Sequence, residues 1–350
     1  MTDSIEIAGR KIGHGHPVYI VAEMSANHNG SYENAVKIVH AAKAAGADAV
    51  KLQTYTPDGM TLDSDQEPFI IGPGTLWSGR RLHDLYKEAM TPWEWQPRLK
   101  KIADDIGIHL FSAPFDIEAV KFLEEMGVPA YKIASFEIVD IPLIRAVAKT
   151  GKPMIISTGL SKQEEIQEAV SAARAAGASQ IALLKCTSAY PAPPEDMNLN
   201  AIPHMHSVFQ VPVGLSDHTL GTTVPVAAVG LGACIVEKHL ISSRSDGGPD
   251  SAFSLEPPEF KEMVDAIRVT EAAMGKVRYG PTLTEGASLG FRRSLFVVSD
   301  IAEGEYFTEL NVRSIRPAGG LHPRELTSVI GRRAAMTIKR GTPLTWEHLK

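Results

Sequence analysis

The sequence predicts a (β/α)8 barrel, a TIM barrel, followed by a small β-rich unit. Three observations carry this. Between residue 17 and about residue 275, short apolar runs and helical stretches form eight strand-helix units. The apolar runs lack clean alternation, as parallel strands buried on both faces should. After Met274 the rhythm breaks, at Gly280-Pro281-Thr282-Leu283-Thr284-Glu285-Gly286, and short strands with glycine turns take over. A doubly wound open sheet is the alternative architecture, but no Gly-rich phosphate loop follows the first strand.

Residues 1–17 read as a lead-in hairpin. The barrel strands are expected at 18–22, 49–52, 109–112, 130–133, 154–157 and 181–185, then around Val213 and around Cys234. Helices are expected at 32–45, 92–106, 116–126, 140–149, 161–176 and 257–274. Thr91-Pro92 gives a cap followed by proline at the first helical position, Asp116 is a cap, and Ser161 with Glu164 has capping-box spacing. Glycine ends helices in the repeated Ala-Gly-Ala at 45–47 and 176–178. Two insertions stand out. Residues 54–90 make a long loop after the second strand, which the embedded Trp77 and a helix-like 82–90 mark as a folded lid. Residues 242–254, with Gly247-Gly248-Pro249-Asp250, form a loop after the eighth. The expected domains are 1–276 for the barrel, 277–289 for a linker and 290–350 for the small unit.

With 350 residues, 44% apolar and 22% charged, the chain can bury a large core. A net charge of -6 argues against a nucleic-acid partner. No basic segment leads into an apolar signal stretch, and no apolar run is long enough to span a bilayer. Two cysteines, Cys186 and Cys234, make no disulfide framework. The expected compartment is the cytoplasm.

A barrel places its chemistry at the C-terminal ends of its strands. Those ends read Glu23, Lys51 with Gln53, Ser112, Lys132 with Ser135 and Glu137, Ser157 with Thr158, Lys185 with Tyr190, Ser216 with His218, and Glu237 with His239. Nearly all are polar. Either histidine alone would most simply satisfy a loop carbonyl. Two histidines at matched ends of neighbouring strands fit a divalent metal completed by oxygen ligands. Buried lysines need a reason, and Lys51 and Lys132 converging on one mouth suggest an anionic carboxylate or phosphate. For Lys185 a solvated side chain is an equal reading. Asp250 either hydrogen-bonds substrate hydroxyls or holds its turn.

Several of these stretches occur as longer motifs: Glu23-Met24-Ser25-Ala26-Asn27-His28-Asn29-Gly30, Val50-Lys51-Leu52-Gln53-Thr54, Tyr131-Lys132-Ile133-Ala134-Ser135-Phe136-Glu137, Ile156-Ser157-Thr158-Gly159, Gly214-Leu215-Ser216-Asp217-His218-Thr219, Glu237-Lys238-His239 and Gly248-Pro249-Asp250. Together they resemble the sialic acid synthase family, phosphoenolpyruvate-condensing enzymes that make nine-carbon 2-keto-3-deoxy sugar acids. The resemblance covers essentially the whole chain, with residues from about 288 similar to the family's antifreeze-like (SAF) domain. Gly74-Thr75-Leu76-Trp77, Leu85-Tyr86-Lys87-Glu88-Ala89 and Thr91-Pro92-Trp93-Glu94-Trp95 look most like the pseudaminic acid synthase branch.

The resemblance implies roles. Lys51, Lys132, Ser135, Ser157, Ser188 and Ser216 would hold phosphoenolpyruvate. His218 and His239 would bind Mn2+ or Mg2+, with Co2+ a further candidate. Glu23 would position the water or the aldehyde. Gln53, Glu137, Tyr190 and Asp250 would contact an acylated amino sugar. Arg316 would reach a substrate acyl group from the partner subunit of a domain-swapped homodimer. There are two departures. The family often has a hydroxyl where this chain has Ala113, which puts one phosphate contact in doubt, and sialic acid synthases carry Asn where this chain has Ser188. The implied sugar is 2,4-diacetamido-2,4,6-trideoxy-L-altrose. N-acetylmannosamine or 2,4-diacetamido-2,4,6-trideoxymannose are the alternatives within the chemistry, and a non-catalytic sugar-binding protein is the alternative outside it.

Overall fold

The computed structural model describes residues 4–350. The chain divides into two compact units, the first ending at Gly275 and the second spanning Lys276–Lys350.

In the first unit eight parallel strands close into a barrel: β1 (Tyr19–Glu23), β2 (Ala49–Thr54), β3 (His109–Pro114), β4 (Tyr131–Ile133), β5 (Met154–Ser157), β6 (Ile181–Cys186), β7 (Val213–Asp217) and β8 (Ile235–His239). Each pairs with its sequence neighbours, and β8 closes onto β1 with His239 opposite Glu23. Side chains alternate across the strands. Ile20, Ala22, Val50, Leu52 and Val236 face outward and pack with Ile38, Val39, Met263, Val264 and Ile267 of the surrounding helices. The alternate positions, among them Val21, Glu23, Lys51, Gln53, Glu237 and His239, therefore face the barrel axis. Apolar residues fill its lower layers and polar ones its mouth. The N-terminal hairpin, Ser4–Ile7 against Arg10–Gly13, packs Ile5, Ile7 and Ile12 with Tyr19 and Val21 and plugs the N-terminal end.

Local signals explain most of the helices. Ser31 Oγ accepts from Asn34 N–H, and Asp116 Oδ1 accepts from Ala119 N–H at 2.7 Å. Gly107 and Gly127 close their helices in the left-handed conformation. Three expectations are corrected. The helix expected to open at Thr91-Pro92 begins at Gln96, after a 3-10 turn over Trp93–Trp95. The helix after β5 begins at Gln163, so Glu165 and not Glu164 accepts from the capping N–H, that of Lys162, at 2.7 Å. Ser161 instead donates to the Gly159 carbonyl. Two helices, Ala201–Phe209 and Thr223–Gly230, complete the ring where the sequence reading placed none.

The insertion after β2 is folded. It carries helix Leu82–Ala89, and Arg81 forks onto Asp84 while also pairing with Asp63. Trp77 Nε1 donates to the Pro249 carbonyl at 3.1 Å, which fastens the insertion to the loop after β8.

The second unit opens with 276–285, which has no regular structure, and a 3-10 turn over Gly286–Phe291. Antiparallel strands β9 (Ser294–Val297) and β10 (Val312–Ile315) then pack a separate core of Leu295, Val297, Ile301, Phe307, Val329, Ile338 and Leu344. Among the described residues no helix is long and apolar enough to cross a membrane.

Candidate active site

The barrel mouth falls into two halves. The first is built from β1, β2, β7 and β8. Lys51 Nζ lies 2.6 Å from Glu23 Oε2 and 3.6 Å from Glu237 Oε1, with all three side chains buried. Gln53 Nε2 donates to Glu23 Oε1 at 3.0 Å and to Ser25 Oγ at 2.9 Å, and Ser216 Oγ donates to Glu237 Oε1 at 3.0 Å. One lysine thus faces two carboxylates, and their environments separate them. Burial pushes the Glu23 carboxyl up to about 7 against the pull of Lys51. For Glu237 burial acts the same way, but the charges of Lys51 and Lys132 and the Ser216 hydrogen bond outweigh it and hold the carboxyl below its ordinary range.

The two histidines lie beside this cluster, with ring centroids 5.4 Å apart. His218 Nδ1–H donates to the Thr187 carbonyl at 3.0 Å, which leaves Nε2 with its lone pair. Burial, reinforced by the positive charges of Lys51 and Lys238, holds His239 neutral, far below the usual imidazole range. Its buried Nδ1 has no hydrogen-bond partner among the described residues, and Asp250 Oδ2 lies 3.7 Å away. No cluster of three or more His, Cys, Asp or Glu metal ligands gathers among the described residues. The donor set is therefore two imidazoles. With oxygens from water or substrate, these fit a divalent cation.

The second half comes from β4, β5 and β6 and is made of hydroxyls around one lysine. Lys132 Nζ donates to Ser157 Oγ at 2.6 Å and to the Ile133 carbonyl at 2.8 Å, and it makes no ion pair among the described residues. Burial lowers its pKa. Ser135 Oγ accepts from Gly159 N–H at 3.2 Å. A Cβ at Gly159 would collide with Ser135 Oγ and Ser188 Oγ, so only glycine leaves this cradle open.

Aromatic rings form one wall. Tyr190 lies 4.4 Å from His218, 5.3 Å from Phe253 and 5.6 Å from Trp77, measured between ring centroids, and Phe253 lies 4.9 Å from His239. Asp250 is buried behind the histidines and accepts from Ala26 N–H at 3.4 Å, and burial raises its pKa. Glu137 has an unpartnered buried Oε2, and burial pushes its carboxyl up to about 7.

The structure brings Glu23, Lys51, Gln53, Lys132, Ser135, Ser157, Ser188, Tyr190, Ser216, His218, His239 and Asp250 to this one mouth, with Glu137 just after β4. Arg316 is exposed, directly after β10 in the second unit. Ser112 does not make up for Ala113. Its hydroxyl lies 2.6 Å from Thr54 Oγ1, which donates to Gln96, so it faces the helix layer. Lys185 turns onto the Cys186 carbonyl and the Thr187 hydroxyl. The sequence reading gave no role to Glu237 or Phe253. Counting two residues back from His239 puts Glu237 on the inner face, a signal present in the sequence.

A closed parallel barrel that buries two lysines, a carboxylate pair and two imidazoles at its C-terminal mouth is an enzyme that works on an anionic substrate. Comparison with known proteins narrows this further. The NeuB family profile matches residues 38–279 and the SAF domain profile residues 292–350, and the chain belongs to the NeuB family. It is 46% identical to the pseudaminic acid synthase of Helicobacter pylori, over 95% of this chain and 98% of that one. It is 47% identical to the pseudaminic acid synthase of Campylobacter jejuni serotype O:2, over 93% and 95%. Among solved structures, the N-acetylneuraminic acid synthetase of Leptospira borgpetersenii superposes with a TM-score of 0.74 at 31% identity, covering 83% of this chain and 96% of that one.

Proposed function

We propose that the chain condenses phosphoenolpyruvate with 2,4-diacetamido-2,4,6-trideoxy-L-altrose and water, giving pseudaminic acid and phosphate. One observation carries the choice of product: two relatives of that name match at 46% and 47% identity along nearly the full length of both chains. The mouth supplies the groups this chemistry needs. C3 of phosphoenolpyruvate bonds to C1 of the open-chain aldehyde, water adds at C2, and phosphate leaves by C–O cleavage.

Lys132, with Ser135, Ser157 and Ser188, and Lys51, with Ser216, hold the phosphate and carboxylate of phosphoenolpyruvate. Buried cations and hydroxyls fixed before the substrate arrives stabilise the departing phosphate without reorganisation. His218 and His239 would hold a divalent cation, Mn2+ or Mg2+, which would supply Lewis acidity toward the aldehyde. Glu23, fixed by Lys51 and Gln53 and titrating near neutrality, positions the water and exchanges a proton with it. Gln53, Glu137, Tyr190 and Asp250 line the sugar side, where the aromatic wall suits acetamido and 6-deoxy methyl groups. A homodimer in which Arg316 reaches the partner's sugar completes this reading. It is supported by the exposure of Val277, Tyr279, Leu283 and Phe291 in the opening segment of the second unit.

The test is phosphate release from phosphoenolpyruvate with a panel of amino sugars, with Mn2+ or with chelator. Mn2+-dependent release with the diacetamido-trideoxy-altrose alone is the expected result. Release with N-acetylmannosamine or the diacetamido-trideoxymannose would keep the mechanism and change the product. Sugar binding without release would leave a binding protein.

A further inference from the structure

We propose that the buried Lys238–Asp217 ion pair is a positioning device that sets the two histidines against each other. The inference rests on reading His218 and His239 as the cation-binding pair. Lys238 and Asp217 are registered partners across β8 and β7, and each immediately precedes one of the histidines. Both side chains are fully buried. By strand alternation Lys238 lies on the outer face, opposite Glu237 and His239, so it does not meet substrate.

Four contacts converge there. Lys238 Nζ donates to Asp217 Oδ2 and to the Thr219 carbonyl. The Asp217 carboxylate accepts from Thr219 N–H at 3.1 Å and from Thr219 Oγ1 at 3.0 Å. The residues before and after His218 are thereby tied to the residue before His239. Lower in the same pair of strands, a Cβ on Gly214 would stand 2.7 Å from Ile235 Cβ, so glycine is what lets β7 and β8 approach this closely. From the other side Thr187 holds the His218 ring. His218 is thus fixed by backbone, ring and ion pair, while His239 is carried by the strand that holds Lys238.

Stability alone does not explain such a pair. Desolvating two charges costs about as much as their attraction returns, and an apolar pair of similar volume often serves a fold as well or better. Fixing the relative placement of two ligands is something an apolar pair does poorly. Groups that orient metal ligands from behind are worth roughly 10–100-fold in metal affinity.

The experiment measures Mn2+ affinity of the full chain, without substrates, by titration calorimetry and by the electron paramagnetic resonance signal of free Mn2+. The key variant replaces both partners, Lys238→Met with Asp217→Leu, so that no buried charge is left alone. It is expected to fold, with Mn2+ bound at least about tenfold more weakly, and the metal concentration needed for half-maximal turnover should rise more than turnover at saturating metal falls. A folded double variant with wild-type Mn2+ affinity overturns the proposal. Should it fail to fold, Thr219→Val keeps both charges and removes one hydrogen bond from Asp217. A severalfold loss of affinity is then expected, and wild-type affinity overturns the proposal equally. Wild-type protein that binds no Mn2+ would instead remove the histidine pair as a cation site, a separate failure.

Discussion

The two halves of the barrel mouth hold their charge in opposite ways. On the side of β1, β2, β7 and β8, Lys51 is compensated by Glu23 and Glu237, and its pKa is raised despite burial. On the side of β4 to β6, Lys132 is as deeply buried but donates only to the Ser157 hydroxyl and a carbonyl, and its pKa falls. A buried cation with no carboxylate in ion-pair contact is costly, and in the proposed reading the fold bears that cost where an anion binds. In that reading the first half controls protons and a cation, and the second receives phosphate. The comparison predicts that damage to each half has a different kinetic signature.

The largest effect should come from His218→Ala. It removes one of the two imidazoles proposed to hold the cation, and turnover with Mn2+ should drop by about 10²–10³-fold, the range for losing one group that stabilises developing charge. The apparent KM for phosphoenolpyruvate should change far less. Retained turnover that still responds to chelator would break the assignment of this half to the cation.

Lys132→Met should do the reverse. Losing a charged hydrogen bond to an anion costs about 1.5–3 kcal/mol, so KM for phosphoenolpyruvate should rise roughly 10–100-fold with little change for the sugar or for Mn2+ binding. A thermal-shift assay gives a second readout. Inorganic phosphate should raise Tm of the wild type by mass action and have little effect on the variant. An equal rise in both would place the anion elsewhere.

Arg316→Ala tests a contact outside the contrast. It should raise KM for the sugar about tenfold, as loss of one charge-assisted hydrogen bond does, and leave that for phosphoenolpyruvate near wild type. Equal effects on both would sink the proposed contact to the acyl group.

Much of this contrast was legible in the sequence, and what escaped did so for physical reasons. The barrel showed itself because strands buried on both faces leave unbroken apolar runs such as Met154–Ser157, with capped helices between them. Thr223–Gly230 escaped because it is apolar on all sides and has no amphipathic stripe. Ala201–Phe209 escaped because Pro203 and two histidines interrupt its pattern. The histidine pair was readable from two strands of matching form. Glu237 was readable as a strand end but not as a partner of Lys51, since pairing across β2 and β8 depends on closure through β1. No local signal distinguishes Lys51, which points at two carboxylates, from Lys185, which folds back on its own loop. Direction within the mouth is a tertiary property, and sequence spacing carries it only where strand alternation applies.

The smallest effect is one of shape rather than size, and it tests the proton-handling half alone. Burial raises the Glu23 carboxyl from its ordinary value to about 7, while Glu237 beside the same lysine stays ionised. If the Glu23 carboxylate is the working form, kcat should rise with pH up to about 7 and level off above it, and Glu23→Gln should flatten that limb. Stability carries the matching sign. The folded chain binds this proton more tightly than the unfolded chain, so ionising Glu23 costs stability progressively as pH rises from about 4.5 to about 7. Relative to Glu23→Gln, the wild type should therefore gain Tm as pH falls through that window and show no further gain below it. A constant Tm difference across the window would mean that Lys51 holds Glu23 ionised as it does Glu237. The two carboxylates would then be electrostatic twins, and the rising limb of the rate profile would belong to another group.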